Sequence, residues 1–282
     1  MKIEVILTPA ELPALARRDL REAVCVVFDV LRATSTFVTA LQNGAKAIVP
    51  VSEIAEALAW RQKQPDVLLG GERDGVKIRA AQTGGVNFDL GNSPREYTPE
   101  KVRGKTIVST TTNGTRALRA CAGAQTVLAA SFLNLTATVD FIKKLRPNQV
   151  VPVCAGTREN PALEDVLAAG ALCEMLIRWG ETTGEPKSEQ KHSGSRGSPQ
   201  GGTGCSPHQK ATSDISDSAE TARATYTQAK SDLAAAVGRS ENARRLLGIP
   251  ELRDDVSFCL QRDRYPLVVK RAADGATFVS VV

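Results

Sequence analysis

A unit recurs along this chain and limits how it can fold: a short run of apolar, often β-branched residues, then small or charged residues, then a segment with helical periodicity. The runs are KIEVIL, AVCVVFDV, AKAIVPV, DVLLG, KTIVS, AQTVLAA and QVVPVCAG, and the segments between them include ATSTFVTALQNG and SEIAEALAWRQK. Strands this apolar are buried on both faces, so the pattern predicts a mainly parallel sheet covered by helices, a three-layer α/β/α member of the α/β class. With 282 residues, 42% of them hydrophobic, the chain can bury a large core.

Three segments follow from composition. Residues 1–183 read as an α/β catalytic core, residues 184–218 as a flexible low-complexity insertion, and residues 219–282 as helices and strands that complete the fold. The insertion holds both histidines, His192 and His208, with Cys205 between them at a spacing that matches no common zinc pattern, so it reads as linker. Beyond it, AETARATYTQAKSDLAAAVG and SENARRLLG read as helices, the second capped by Ser240 and stopped at Gly248. DVSFCLQ, YPLVVKR and TFVSVV read as closing C-terminal strands, for which an antiparallel arrangement is open.

Composition excludes several classes of partner. The net charge of +5 is spread along the chain and aromatics make up 4%, which argues against a nucleic-acid binder. No apolar run reaches the length of a spanning helix and MKIEVILTP lacks the layout of a signal peptide, so no membrane partner and a cytoplasmic setting are expected. Cys25, Cys121, Cys154, Cys173 and Cys259 stand singly in apolar segments and read as core thiols. A homo-oligomer is compatible with the sequence, which does not specify one.

Ligands of such sheets bind at the carboxyl ends of strands. Here those ends carry Asp29, Arg32, Thr34 and Ser35, then Gly71, Glu72 and Arg73, then Thr111, Thr112, Asn113, Gly114 and Arg116 of STTTNGTRAL, then Gly156, Thr157, Arg158, Glu164 and Asp165. Singly, each has a structural reading as a helix cap, a surface ion pair or a turn. Together, carboxylates that can hold Mg²⁺ and arginines and hydroxyls that can take phosphate oxygens describe a site for phosphoryl chemistry. Familiar phosphate motifs are absent: no cysteine has Arg at Cys–x5–Arg spacing, Asp29 is followed two residues on by Leu31, and neither a P-loop nor GxGxxG occurs.

The stretches VVFDVLRATST, GGER, FDLGNSPREY, TTTNGTRAL, ASFLN and CAGTRENPALEDVLAAG resemble, in order, the signatures of the 2-phosphosulfolactate phosphatase family, and DVSFCLQRDRYPLV resembles its closing segment. The resemblance implies an α/β hydrolase of coenzyme M biosynthesis that needs Mg²⁺ and releases phosphate from (R)-2-phospho-3-sulfolactate, a small polyanion. By their positions at strand ends, Asp29, Glu72 and Asp165 are expected to hold the metal and Asp29, Arg32 and Glu164 to serve catalysis. Arg73, Thr111, Thr112, Asn113, Gly114, Arg116 and Arg158 fall to the substrate. The chain departs from the family in a longer, more polar RDGVKIRAAQTGGVN and in the 184–218 tract. An enzyme for another acidic phosphate ester and a non-catalytic anion-binding module are the alternatives.

Overall fold

The computed structural model describes residues 1–182 and 214–281. Its strands are β1 (Lys2–Ile3), β2 (Ala23–Phe28), β3 (Ala47–Val51), β4 (Leu68–Arg73), β5 (Val76–Lys77), β6 (Thr106–Thr110), β7 (Thr126–Ala130), β8 (Gln149–Cys154), β9 (Asp214–Ile215), β10 (Val268–Arg271) and β11 (Phe278–Val281). The longer helices are α1 (Ala33–Gln42), α2 (Ile54–Lys63), α3 (Gly114–Ala120), α4 (Leu135–Leu145), α5 (Leu163–Thr182), α6 (Asp217–Ala229), α7 (Glu241–Leu247) and α8 (Arg253–Cys259). The strands form one sheet in the order β5-β4-β6-β3-β11-β10-β7-β2-β8-β1-β9.

The fold is α/β, with a mostly parallel sheet flanked by helices. Every residue of β2 is buried. Val24, Val26 and Phe28 pack with Leu167 and Leu172 of α5 on one face, while Ala23, Cys25 and Val27 pack with Phe37 and Leu41 of α1 on the other. Helix α1 is buried from Ala33 to Leu41 although its sequence is rich in hydroxyls. Its threonines and serine are tolerated there because each hydroxyl returns a hydrogen bond to a carbonyl: Thr34 to Asp29, Ser35 to Val30, Thr36 to Asn92 and Thr39 to Ser35.

The parallel pairs fall into two blocks. β4, β6 and β3 form one, and β7, β2, β8, β1 and β9 the other. Between them lie three antiparallel pairings, β3 with β11, β11 with β10 and β10 with β7, so the two blocks run in opposite directions. The C-terminal strands are therefore antiparallel and sit in the middle of the sheet, as its seam. The buried α1 covers one face of the seam, the Phe278 ring lying 6.5 Å from that of Phe37 and tilted 50° to it.

Two sequence expectations are corrected. DVSFCLQ is not a strand: Arg253–Cys259 is helical, and Val256 and Cys259, three apart on one face, are buried. The insertion does not extend to residue 218, because Asp214–Ile215 pairs in parallel with β1 and Ser216 caps α6 through the Ala219 N–H. Residues 184–213 of that tract, with His192, Cys205 and His208, lie outside the described residues. The Ser240 cap and the Gly248 stop stand as read, the Ser240 hydroxyl accepting from the Ala243 N–H at 3.2 Å.

Candidate active site

Asp29 follows the last residue of β2 and is held from several sides. Its N–H donates to Thr34 Oγ1 at 3.0 Å, its carbonyl accepts from that hydroxyl at 2.9 Å, and its Oδ1 accepts from the Ala33 N–H at 3.1 Å. No donor among the described residues reaches Oδ2. Burial pushes the carboxyl up to about 6, opposed by the Ala33 N–H and reinforced by the negative charge of Glu72 and Glu164. Gly114 of the β6–α3 turn lies against it, and a Cβ there would stand 2.7 Å from Oδ2, so the motif glycine is a packing requirement.

Glu72, at the end of β4, closes the turn after it. Its Oε2 accepts from the Gly75 N–H at 2.6 Å, and its Oε1 accepts from the N–H and the hydroxyl of Thr112 at 2.9 and 3.0 Å. The preceding Gly71 has φ +146°, and a side chain there would meet the Thr110 carbonyl at 2.1 Å, which explains the paired glycines of GGER. The ends of β4 and β6 thus meet the end of β2 although the blocks run oppositely, a convergence that requires the sheet to twist and coil across its seam.

The remaining acids differ in role. Asp165, in the first turn of α5, accepts from the Val30 N–H at 2.8 Å and from the Gly156 N–H at 3.0 Å, stapling the ends of β2 and β8. Burial, then the charges of Glu164 and Asp29, hold its carboxyl well above the usual carboxylate range. Glu164 Oε1 accepts from Asn242 Nδ2 at 2.7 Å, and its Oε2 is buried without a partner.

Of the arginines expected to bind substrate, the structure brings one to the cleft unpaired. Arg158 lines it, with φ +58° and no ion-pair partner among the described residues. Arg32 lines it too, but its guanidinium is spoken for: Nη1 meets Asp255 Oδ2 at 2.8 Å and Nη2 donates to the Gly75 carbonyl at 2.6 Å. Its acid thus comes from α8, and Arg32 forms no ion pair with Asp29. Arg73 turns to the Ser52 carbonyl, the Glu72 carbonyl and Thr110 Oγ1, and Arg116 makes a surface pair with Glu159 at 3.1 Å. Neither is among the cleft residues. Thr111 Oγ1 and Asn113 Oδ1 are buried without hydrogen-bond partners, and Asn113 and Thr112 line the cleft.

The cleft, of about 530 Å³ with its mouth included, is also lined by residues the sequence reading left out, among them Asn92, Thr157 and Arg245. Asn242 lies behind it and donates to Thr157 Oγ1 at 2.6 Å and to Glu164 Oε1 at 2.7 Å, while its own Oδ1 accepts from Arg245 Nη2 at 3.0 Å. Asn242 and Arg245 stand three apart on α7, a spacing that puts them on one face. Nothing in SENARRLLG marks that face as turned to a partner far away in sequence.

A magnesium site can be tested against these atoms. Among the described residues, no group of three or more His, Cys, Asp or Glu side chains is arranged to hold a metal ion by itself. Mg²⁺ is commonly held by one or two carboxylates, waters and substrate phosphate. Asp29 and Glu72 both face the cleft, and Asp29 keeps one oxygen free. Those two fit by position; Asp165, which staples the ends of β2 and β8, stands outside the cleft lining.

Comparison with known proteins bears on what the cleft does. A family model described as 2-phosphosulpholactate phosphatase matches residues 7–273. The chain is similar to proteins named "Probable 2-phosphosulfolactate phosphatase" from several bacteria. It is 48% identical to that of Caldanaerobacter subterraneus subsp. tengcongensis over 161 residues, 56% of this chain and 64% of the relative. It is 49% identical to that of Thermotoga maritima over 153 residues, 54% of this chain and 62% of the relative. With that of Clostridium acetobutylicum the identity is 39% over 178 residues, 63% and 71% of the two chains. The matches therefore span 64% or less of the length of the first two of these relatives. No helix among the described residues is long and apolar enough to cross a membrane.

Proposed function

Since this chain belongs to the 2-phosphosulpholactate phosphatase family, we propose that it hydrolyses the phosphate ester of a small polyanionic acid, (R)-2-phospho-3-sulfolactate, to 3-sulfolactate and phosphate with Mg²⁺. The observation that carries this reading is the charge of the cleft lining: Asp29 and Glu72 share it with the guanidinium groups of Arg158 and Arg245, which have no carboxylate partner among the described residues. Unpaired cations beside buried acids suit a ligand that is anionic and arrives with a metal.

Asp29 and Glu72 would hold the metal, which when bound supplies positive charge to the phosphoryl oxygens. Arg158 holds the phosphoryl group and Asn113 borders it, while the hydroxyl and N–H of Thr112 keep Glu72 in place. Glu164, which lies outside the cleft lining but has its Oε2 buried without a partner, would accept a proton from the attacking water as the new P–O bond forms. The ester P–O bond breaks on the opposite side of phosphorus, and the departing C2 oxygen takes its proton from solvent. Asp165 contributes by fixing the two strand ends that carry Asp29 and Gly156. A cytoplasmic setting is part of the proposal.

The deciding assay measures phosphate release from phosphosulfolactate and from a panel of other acidic phosphate monoesters, with Mg²⁺ and with EDTA. Release from phosphosulfolactate that EDTA abolishes is the expected result. Release from the other esters alone, or release indifferent to EDTA, overturns it.

A further inference from the structure

We infer that Arg245, oriented by Asn242, is the residue that selects for a second strong anion on the substrate, here the sulfonate, away from the phosphoryl group. The inference rests on the proposed function and names a determinant of its specificity in a segment that none of the family-like motifs include.

Six charged residues line the cleft. Asp29, Glu72 and Asp74 are acids; Arg32 is neutralised by Asp255, and both are nearly fully buried, at 3% and 0% side-chain exposure. That leaves Arg158 and Arg245 as cations without a carboxylate in ion-pair range among the described residues. Arg158 comes from the loop after β8, beside the strand ends that carry the acids. Arg245 comes from α7 and lies by the Gly75 turn, its Nε 3.6 Å from where a Gly75 side chain would begin. A three-carbon acid with phosphate at C2 and sulfonate at C3 calls for two cationic seats, and the cleft offers two, one from the loop after β8 and one from α7.

Arg245 is also preorganised, which a merely solvated surface arginine is not. Its Nη2 is fixed by Asn242 Oδ1 at 3.0 Å, and Asn242 is 5% exposed and anchored by its amide to Thr157 and Glu164. One guanidinium edge is thereby spent on orientation. A substitution by lysine keeps the charge and loses that orientation.

The test compares wild type, Arg245→Gln and Arg245→Lys on phosphosulfolactate and on 2-phospholactate, which has a methyl group in place of the sulfonate-bearing carbon. The expected result is that kcat/KM for phosphosulfolactate relative to phospholactate falls by about 10- to 100-fold in Arg245→Gln, mainly through KM, and by less in Arg245→Lys. An equal fall for both substrates, or an unchanged ratio, overturns the inference. A binding arm needs no turnover: titration calorimetry of 3-sulfolactate against lactate, with thermal melts to confirm folding. If wild type binds sulfolactate and Arg245→Gln does not, the inference stands even where phosphosulfolactate proves not to be hydrolysed and the proposed function falls. Equal binding by both proteins, or no binding by wild type, sinks it.

Discussion

At the β2–α1 junction nearly every polar group around Asp29 finds a partner inside the chain, whereas at the β6–α3 junction several find none. The first is closed by Thr34, Ser35 and the Ala33 N–H. In the second, Thr111 Oγ1 and Asn113 Oδ1 are buried without a donor or acceptor, and Thr112 spends its two donors across the cleft on Glu72. Both junctions follow a buried strand and open a helix, so backbone geometry alone does not separate them. What separates them is unmet hydrogen-bonding capacity, which folding ordinarily removes and which the second junction keeps. The first junction holds a carboxylate still; the second leaves Thr111 Oγ1 and Asn113 Oδ1 unpaired.

The most damaging way to break this contrast is at the point where the junctions touch. In Gly114→Ala the new Cβ would stand 2.7 Å from Asp29 Oδ2 and 2.9 Å from Ala33 Cβ, so one junction must move off the other. Phosphate release is expected to fall by more than about 100-fold, because displacements on the order of 1 Å at reacting groups have that effect, while overpacking takes about 1–3 kcal/mol from stability. Kinetics together with urea unfolding check both halves of the statement.

A second test concerns charge at the closed junction. Folding raises Asp29 from 3.8 to about 6, so the folded state keeps a proton that the unfolded state releases earlier. Its contribution to stability is therefore fully present below about pH 4 and lost as pH rises through about 6, a change of at most about 3 kcal/mol. In EDTA, the wild-type melting temperature should drop relative to that of Asp29→Asn between those limits. Parallel melting curves for the two proteins across that range would show that Asp29 is not held protonated by the fold.

The third test exchanges stability for activity. Thr34→Val leaves the Asp29 N–H without its acceptor and is expected to remove about 1–3 kcal/mol of stability. Asn113→Ala deletes an oxygen that has no partner and is expected to leave stability unchanged while slowing phosphate release about tenfold or more. If both variants behave alike, either in unfolding or in turnover, the two junctions are not different in kind.

The longer parallel strands β2, β3, β4, β6, β7 and β8 were legible because they are apolar on both faces, whereas the two-residue β5 and β9 carry no such pattern. The reversal between the two blocks was not, since it depends on which distant strands pair, and no local pattern encodes that. DVSFCLQ misled because Val256, Phe258 and Leu260 alternate like a strand. In the structure Asp255, Val256 and Cys259 are buried instead, and Asp255 is spent on Arg32 and on the Ser93 hydroxyl. At the site, Asp29, Glu72 and Asn113 could be placed from strand ends alone. Arg73 and Arg116 could not be told from Arg158, because the partners that occupy them, the Ser52 carbonyl and Glu159, are fixed only by the fold. Asn242 escaped notice for a related reason: the glutamate it holds is 78 residues away.

The position of β10 and β11 at the seam has a consequence for the order of events at the ribosome. All the strand ends that carry Asp29, Glu72, Asn113 and Arg158 emerge before residue 160, yet the two blocks that present them have no shared neighbour until residues 268–281 follow. Asp255 and Asn242, which steady Arg32 and Glu164, also come late. A nascent chain can collapse its first helices and strands as they appear, but it holds the chemical groups of the site without their arrangement. The two blocks are therefore joined in one step, with the final hairpin, and a chain cut short before β10 carries the motifs that resemble the family's without the seam that holds their strands in one sheet.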